Sequence, residues 1–189
     1  VPPEGLPPML PGEAAFAASG SCLVVEGARR AWIGTGGAAT ARVFRTTDRG
    51  RHWRVAETRM RAGGPSTGIF SLAFRDARHG IAVGGDYRKA RDPGENVGLT
   101  RDGGRSWTMP RGQYPLGYMS SVAYLPLAAR PTLIAVGLGG TALSTDDGQS
   151  WRMVDSVAYN SVRFVGRTGI AVGPGGKVAL WREAVSGKR

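Results

Sequence analysis

The chain has 189 residues, 41% of them hydrophobic, which suits one folded domain with a sizeable core rather than a disordered segment. No apolar stretch approaches the ~20 residues of a transmembrane helix, and the lone Cys22 excludes an intrachain disulfide. The formal charge of +11 is nearly all arginine, with lysine only at 89, 177 and 188, and it is scattered over turns. That pattern points to a polyanion or acidic protein partner, or to a solvated arginine-rich surface. No zinc finger, ribonucleoprotein motif or recognition helix supports nucleic acid.

Thirty glycines and 12 prolines cut the sequence into short apolar runs, the pattern of an all-β protein. Residues 1–13 read as a proline-rich connector, similar to the segment after Trp107, Thr108-Met109-Pro110-Arg111-Gly112. Residues 14–37 read as strands: Ala14-Ala15-Phe16-Ala17, a turn at Gly20, Cys22 to Val25, then Ala31-Trp32-Ile33-Gly34. Further on, Ser71 to Phe74, Ser121 to Tyr124 and Ser161 to Phe164 each open a unit. The sequence Ile-Ala-Val-Gly follows at 81–84, 134–137 and 170–173, as a repeated inner strand with small residues. Gly-Gly pairs stand at 36–37, 84–85, 139–140 and 175–176.

Between these runs a turn sequence, Ser/Thr-x-Asp-x-Gly-x-x-Trp, occurs three times. Its residues are Thr46, Asp48, Gly50 and Trp53; Thr100, Asp102, Gly104 and Trp107; and Ser144, Asp146, Gly148 and Trp151. The aspartates lie about 54 and 44 residues apart, the period of a repeat architecture. The carboxylate is expected to accept backbone amides two or three residues on. The glycine supplies positive φ, and the Trp packs between neighbouring sheets. Aligning the Gly-Gly pairs puts Leu180 where Ser144 stands, so the last unit lacks the turn.

The turn resembles the Asp-box, or BNR repeat, of sialidase-like β-propellers. That resemblance implies four blade units of four antiparallel strands, about 14–57, 69–109, 120–154 and 160–182, either within a larger propeller of six to eight blades, which the connector at 1–13 favours, or as a small four-bladed ring. The last unit would end at its third strand, and 183–189 would be a polar tail. Residues 1–13 would then connect from a further blade upstream. Ser71 to Gly85 and Thr100 to Trp107 look like the Ycf48/HCF136-like photosystem II assembly factors. This likeness implies an exported, periplasmic-type binding protein. No signal peptide is visible, but the chain starts at Val1 rather than Met.

Propeller topology would gather the long 86–95 loop and the inter-blade connectors on one face, away from the Asp turns. Arg59, Arg61, Tyr87, Arg88, Lys89, Arg91, Arg111, Tyr114 and Tyr118 are the candidate binding residues there. Arginine forks beside tyrosine rings suit carboxylate, phosphate or sugar groups on a protein or anionic ligand. An open propeller arc would need self-association or further blades to cover its apolar faces.

The enzyme alternative is a sialidase-like glycoside hydrolase with its catalytic residues partly in a missing half. Glu57, Glu95 and Tyr87 have no supporting spacing for it, and the Phe/Tyr-Arg-Ile-Pro motif is absent. His52, His79 and Cys22 do not form a metal-ligand pattern, and no phosphate loop or dinucleotide fingerprint implies a cofactor.

Overall fold

The computed structural model describes residues 3–17, 20–112, 114–126 and 128–182. Among the described residues fourteen strands form four antiparallel sheets in chain order. Sheet 1 holds β1 (Leu23–Glu26), β2 (Arg30–Gly34), β3 (Arg42–Thr46) and β4 (Arg54–Glu57). Sheet 2 holds β5 (Thr67–Phe74), β6 (Gly80–Asp86) and β7 (Val97–Thr100). Sheet 3 holds β8 (Ser121–Tyr124), β9 (Leu133–Gly137), β10 (Gly140–Ser144) and β11 (Arg152–Asp155). Sheet 4 holds β12 (Ser161–Val165), β13 (Thr168–Gly173) and β14 (Lys177–Arg182). Three-residue 3-10 turns occur at Pro3–Gly5, Tyr87–Lys89 and Pro174–Gly176.

Alternation along each strand sends side chains to opposite sheet faces, and the core lies between successive sheets. Trp32 and Val43 of sheet 1 pack on Ile69, Leu72 and Ala82 of sheet 2. Ile81, Val83, Val97 and Leu99 leave the other face of sheet 2 and meet Val122 and Ala135 of sheet 3. Ile134, Val136 and Leu143 in turn meet Val162, Phe164 and Trp181 of sheet 4. The repeated Ile-Ala-Val strand thus serves two interfaces. Its branched residues face forward, and its alanine leaves room for the sheet behind.

Two expectations are corrected. Sheet 2 has three strands, not four: after Trp107 only Thr108 bridges to Leu99. Pro110 follows at once and carries no N–H for a ladder, whereas Arg152–Asp155 has no proline and forms β11. Residues 14–17 do not form a strand either. Ala14 makes an isolated bridge with Gly36, and Phe16 stacks on Phe70 at 4.1 Å between ring centroids. The segment is held by an ion pair of Glu13 with Arg42, whose side chains are 0% and 7% exposed. Among the described residues sheet 4 ends at its third strand; 183–189 lie outside them.

Candidate functional site

The three aspartate turns share one hydrogen-bond scheme. The hydroxyl of Thr46, Thr100 or Ser144 donates to Asp48, Asp102 or Asp146 at 2.8–2.9 Å. The same oxygen accepts from the amide of Gly50, Gly104 or Gly148 at 2.8–3.0 Å. Each aspartate accepts the amide four residues on, from His52, Ser106 or Ser150, and Asp102 also that of Arg105, three on. The reach is one residue longer than the sequence suggests, because two successive residues turn left-handed. Asp147 and Gly148 have φ of 60° and 82°. A Cβ at Gly148 would also stand 2.9 Å from Ile81 and Leu99, so glycine here serves both the turn and the sheet interface.

Trp53 and Trp151 donate their indole N–H to the carbonyls of Gly50 and Gly148 at 3.2 and 3.0 Å. Trp107 departs from the pattern. Its buried Nε1 has no partner among the described residues, while Trp32 of sheet 1 takes the Gly103 carbonyl at 2.9 Å.

Burial alone would raise the Asp102 and Asp146 carboxyls. Bonds from the Ser106 and Ser150 side chains and amides, with the Thr100 and Ser144 hydroxyls, hold both below their ordinary value of 3.8. Nearby Asp76 is lowered to about 2: burial would raise it, but the His79 and Arg78 amides and the His79 ring outweigh that. Folded values below unfolded ones add stability that is complete above pH 3.8 and lost as pH falls toward 2. Thermal unfolding midpoints should therefore drop through that window. Asp102→Asn, which strips the anionic acceptor from several donors, should cost about 1–3 kcal/mol at neutral pH. It should also flatten the acid dependence, as pH-resolved calorimetry would show.

These turns lie with the loops joining the first and second strands. The amides of Arg49, Gly103 and Asp147 donate to the carbonyls of Arg29, Arg78 and Pro131 at 2.9–3.1 Å. Asp147 also receives Arg75 of sheet 2 at 3.1 Å and the Tyr124 hydroxyl at 2.9 Å. This tie between two sheets is not marked in the repeat pattern.

The opposite face is built around the 86–96 loop. Asp86 starts a 3-10 turn by accepting the Arg88 amide at 2.9 Å. Ala90 accepts from the Tyr118 amide at 3.0 Å, and Glu95 from the Arg61 amide at 2.7 Å. Arg61 also bonds the Pro93 carbonyl at 3.0 Å. Asn96, fully buried, donates to Leu116 at 2.8 Å. The loop is thus pinned to the connectors on both sides. Beneath it Phe70 meets Tyr118 edge-on at 4.8 Å and Tyr87 at 6.1 Å. Burial, helped by Tyr87, pushes the Tyr118 hydroxyl up to about 12.

Tyr87, Arg88, Lys89 and Arg91 thus stand on this loop, and Arg59 and Arg61 on the connector bonded to it. Arg59, Arg88, Lys89 and Arg91 are exposed, with no hydrogen bond or ion pair to their side chains among the described residues. A hollow of about 420 Å³ runs past Arg59, Arg61, Thr40 and Glu95.

Three candidates separate from this group. Tyr118 is 5% exposed and supports the aromatic shelf from below. Tyr114 packs half-buried on the core between sheets 2 and 3. Arg111 sits on the aspartate-turn side, its amide 3.2 Å from the Gln149 side-chain oxygen. With only the Thr108 bridge in place of an outer strand, the chain stays on that side as far as Gly112, whose amide donates to the Gln149 carbonyl at 3.0 Å.

The sequence reading also missed a basic hollow of about 490 Å³ on the aspartate-turn face, lined by Arg30, Arg45, Arg78 and Arg105. Arg30 is paired with Glu26 and Arg78 reaches the Arg101 carbonyl, so two of its four cations are already engaged.

No family model matches the chain, and no curated protein matches it in sequence. Solved structures do match. A structure described as "YCF48 bound to D1 peptide" aligns with TM-score 0.57 and 16% identity, over 91% of this chain and 55% of that one. The GH74 enzyme of Niastella koreensis aligns with TM-score 0.60 and 13% identity, over 84% of this chain and 27% of that one. The computationally designed Ika4 protein aligns with TM-score 0.56 and 12% identity, over 92% and 95%. The chain spans about half of the first structure and about a quarter of the second. These likenesses show a β-propeller fold, with the four sheets as its blades.

Proposed function

We propose that this chain is a non-enzymatic binding propeller, exported in its natural setting. Its 86–96 loop face takes a protein segment or other ligand that presents carboxylates. The observation that carries the reading is the juxtaposition of unpaired cations with a fixed aromatic shelf. Arg88, Lys89 and Arg91 share with the exposed Tyr87 a loop pinned to the connectors on both sides, and Arg59 lies on the connector that bonds to the loop through Arg61. Guanidinium forks recognise carboxylates bidentately, and a pinned loop loses little freedom on binding. The likeness to a propeller described with a bound peptide supports this reading.

The glycosidase reading has the GH74 likeness behind it but no residue geometry. A glycosidase acid needs a raised pKa. The carboxyls that the structure shifts, Glu13, Asp48, Asp76, Asp86, Asp102 and Asp146, all move down.

Fluorescence anisotropy with a labelled glutamate-rich peptide and a glutamine-matched control tests the proposal. Only the acidic peptide should bind, less tightly as salt rises. Arg88→Glu with Arg91→Glu should weaken it at least about tenfold, roughly 1.4 kcal/mol, without changing the melting temperature. Equal binding of both peptides, or an unchanged affinity in the double variant, refutes it. Turnover of aryl glycosides that a single carboxylate substitution abolishes would favour the hydrolase.

A further inference from the structure

The junction between sheets 1 and 2 gathers cations where the next junction holds an ion pair. In sheet 1, Trp32, Arg45 and Arg54 stand opposite one another across β2, β3 and β4, so their side chains share one face. Trp32 packs from that face onto sheet 2, its ring stacked on Phe74 at 3.9 Å. Its indole N–H donates to the Gly103 carbonyl at 2.9 Å. A Cβ at Gly104 would stand 3.0 Å from the Trp32 ring and 3.7 Å from Arg45 Cδ, so the second aspartate turn lies against the stem of Arg45. Arg105, next in that turn, is exposed. It lines the basic hollow of about 490 Å³ together with Arg30, Arg45, Arg78 and Thr47.

Among the described residues neither Arg45 nor Arg105 has a hydrogen bond or ion pair to its side chain. The carboxylate on the lining, Asp102, is already occupied. It accepts from the Thr100 hydroxyl, the Arg105 amide, and the Ser106 amide and hydroxyl at 2.6–3.0 Å, which fills its roughly four lone-pair sites. The third turn differs here by one residue. Asp147 follows Asp146 and takes Arg75 of sheet 2 at 3.1 Å. In the second turn the residue after Asp102 is Gly103, which has no carboxylate to offer. Burial, then the charges of Arg105 and Arg54, lowers the Arg45 guanidinium from its ordinary value, against the pull of Asp102. A half-buried cation set beside like charges is stabilised by an anion that enters between them.

We propose that this hollow binds a phosphate or sulfate monoester, its oxyanion held between Arg45 and Arg105. A guanidinium fork takes a pair of oxygens. One carboxylate is satisfied by one fork, whereas a tetrahedral oxyanion keeps three oxygens beside its ester link and serves two forks from two blades. The Thr47 hydroxyl on the lining adds a neutral donor. The hollow falls within the size range of small-molecule sites, about 300–1,000 Å³, which leaves room for the organic group that carries the oxyanion. The site lies on the aspartate-turn face, so it is separate from the 86–96 loop and independent of binding there.

Isothermal titration with glycerol phosphate and with methyl sulfate tests this, in chloride buffer of constant ionic strength. At least one of the two should bind at a single site, and the tighter one identifies the ester. Arg45→Gln and Arg105→Gln should each weaken it at least about tenfold, because each removes charge-assisted bonds. Arg105→Gln, at an exposed position, should melt as the wild type does, so its lost affinity is not a lost fold. Arg88→Glu with Arg91→Glu, on the opposite face, should leave the affinity unchanged. Inorganic phosphate should bind more weakly than the ester, and acetate should not displace it. Binding of neither ester, an affinity unchanged in both arginine variants, or displacement by acetate overturns the site. Equal affinity for inorganic phosphate overturns the assignment of an ester.

Discussion

Replacing Glu13 with alanine should destabilise the fold by about 3–5 kcal/mol, the cost of leaving one partner of a buried ion pair alone. The Glu13 carboxylate has no exposed side-chain surface and the Arg42 side chain only 7%. Arg42 Nε donates to it at 2.9 Å, the Thr35 hydroxyl at 2.6 Å and the Leu10 amide at 2.9 Å. Arg42 also donates to the Pro8 carbonyl at 2.9 Å. Burial would raise the Glu13 carboxyl; these donors and the guanidinium charge keep it lowered. Removing it leaves a buried guanidinium with only the Pro8 carbonyl and the Phe44 ring among the described partners, and frees the segment from Leu10 to Phe16. Equilibrium denaturation measures the loss. Glu13→Leu combined with Arg42→Met should recover most of it, because replacing both ions relieves the desolvation cost of each. A single-variant loss below about 1 kcal/mol would mean that water reaches the pair.

Trp151→Ala should cost a similar amount, about 3–5 kcal/mol, from lost transfer energy and the cavity left behind. The ring is 5% exposed and belongs to the core between sheets 2 and 3 with Ile81, Leu99 and Leu133. Substitution by phenylalanine separates packing from hydrogen bonding. Trp151→Phe loses the bond to the Gly148 carbonyl, worth about 1 kcal/mol. Trp107→Phe loses no such bond, because its N–H is unpaired among the described residues. Paired thermal melts should therefore show Trp151→Phe as the more damaging of the two. The reverse order would show that the two indoles are held alike.

The spacing of the three aspartate turns and the Ile-Ala-Val-Gly runs was enough to read an all-β repeat protein with four blade units. Both signals are local: a carboxylate closing its own turn and a strand alternating its own faces need only a few consecutive residues. The loop face was partly legible for the same reason. Arg59, Arg61, Tyr87, Arg88, Lys89 and Arg91 fall in loops whose side of the fold follows from strand order. Only the tertiary structure separated Arg111, Tyr114 and Tyr118 from them, because a connector's path depends on where the preceding strand ends, and Pro110 ends it early. Only the tertiary structure joined Glu13 to Arg42, 29 residues apart, since no periodicity records a contact between a connector and a strand. The exposure of Ile170 and Val172 was equally invisible in sequence. Their run is identical to the buried ones in sheets 2 and 3, and its burial depends on which surface stands opposite.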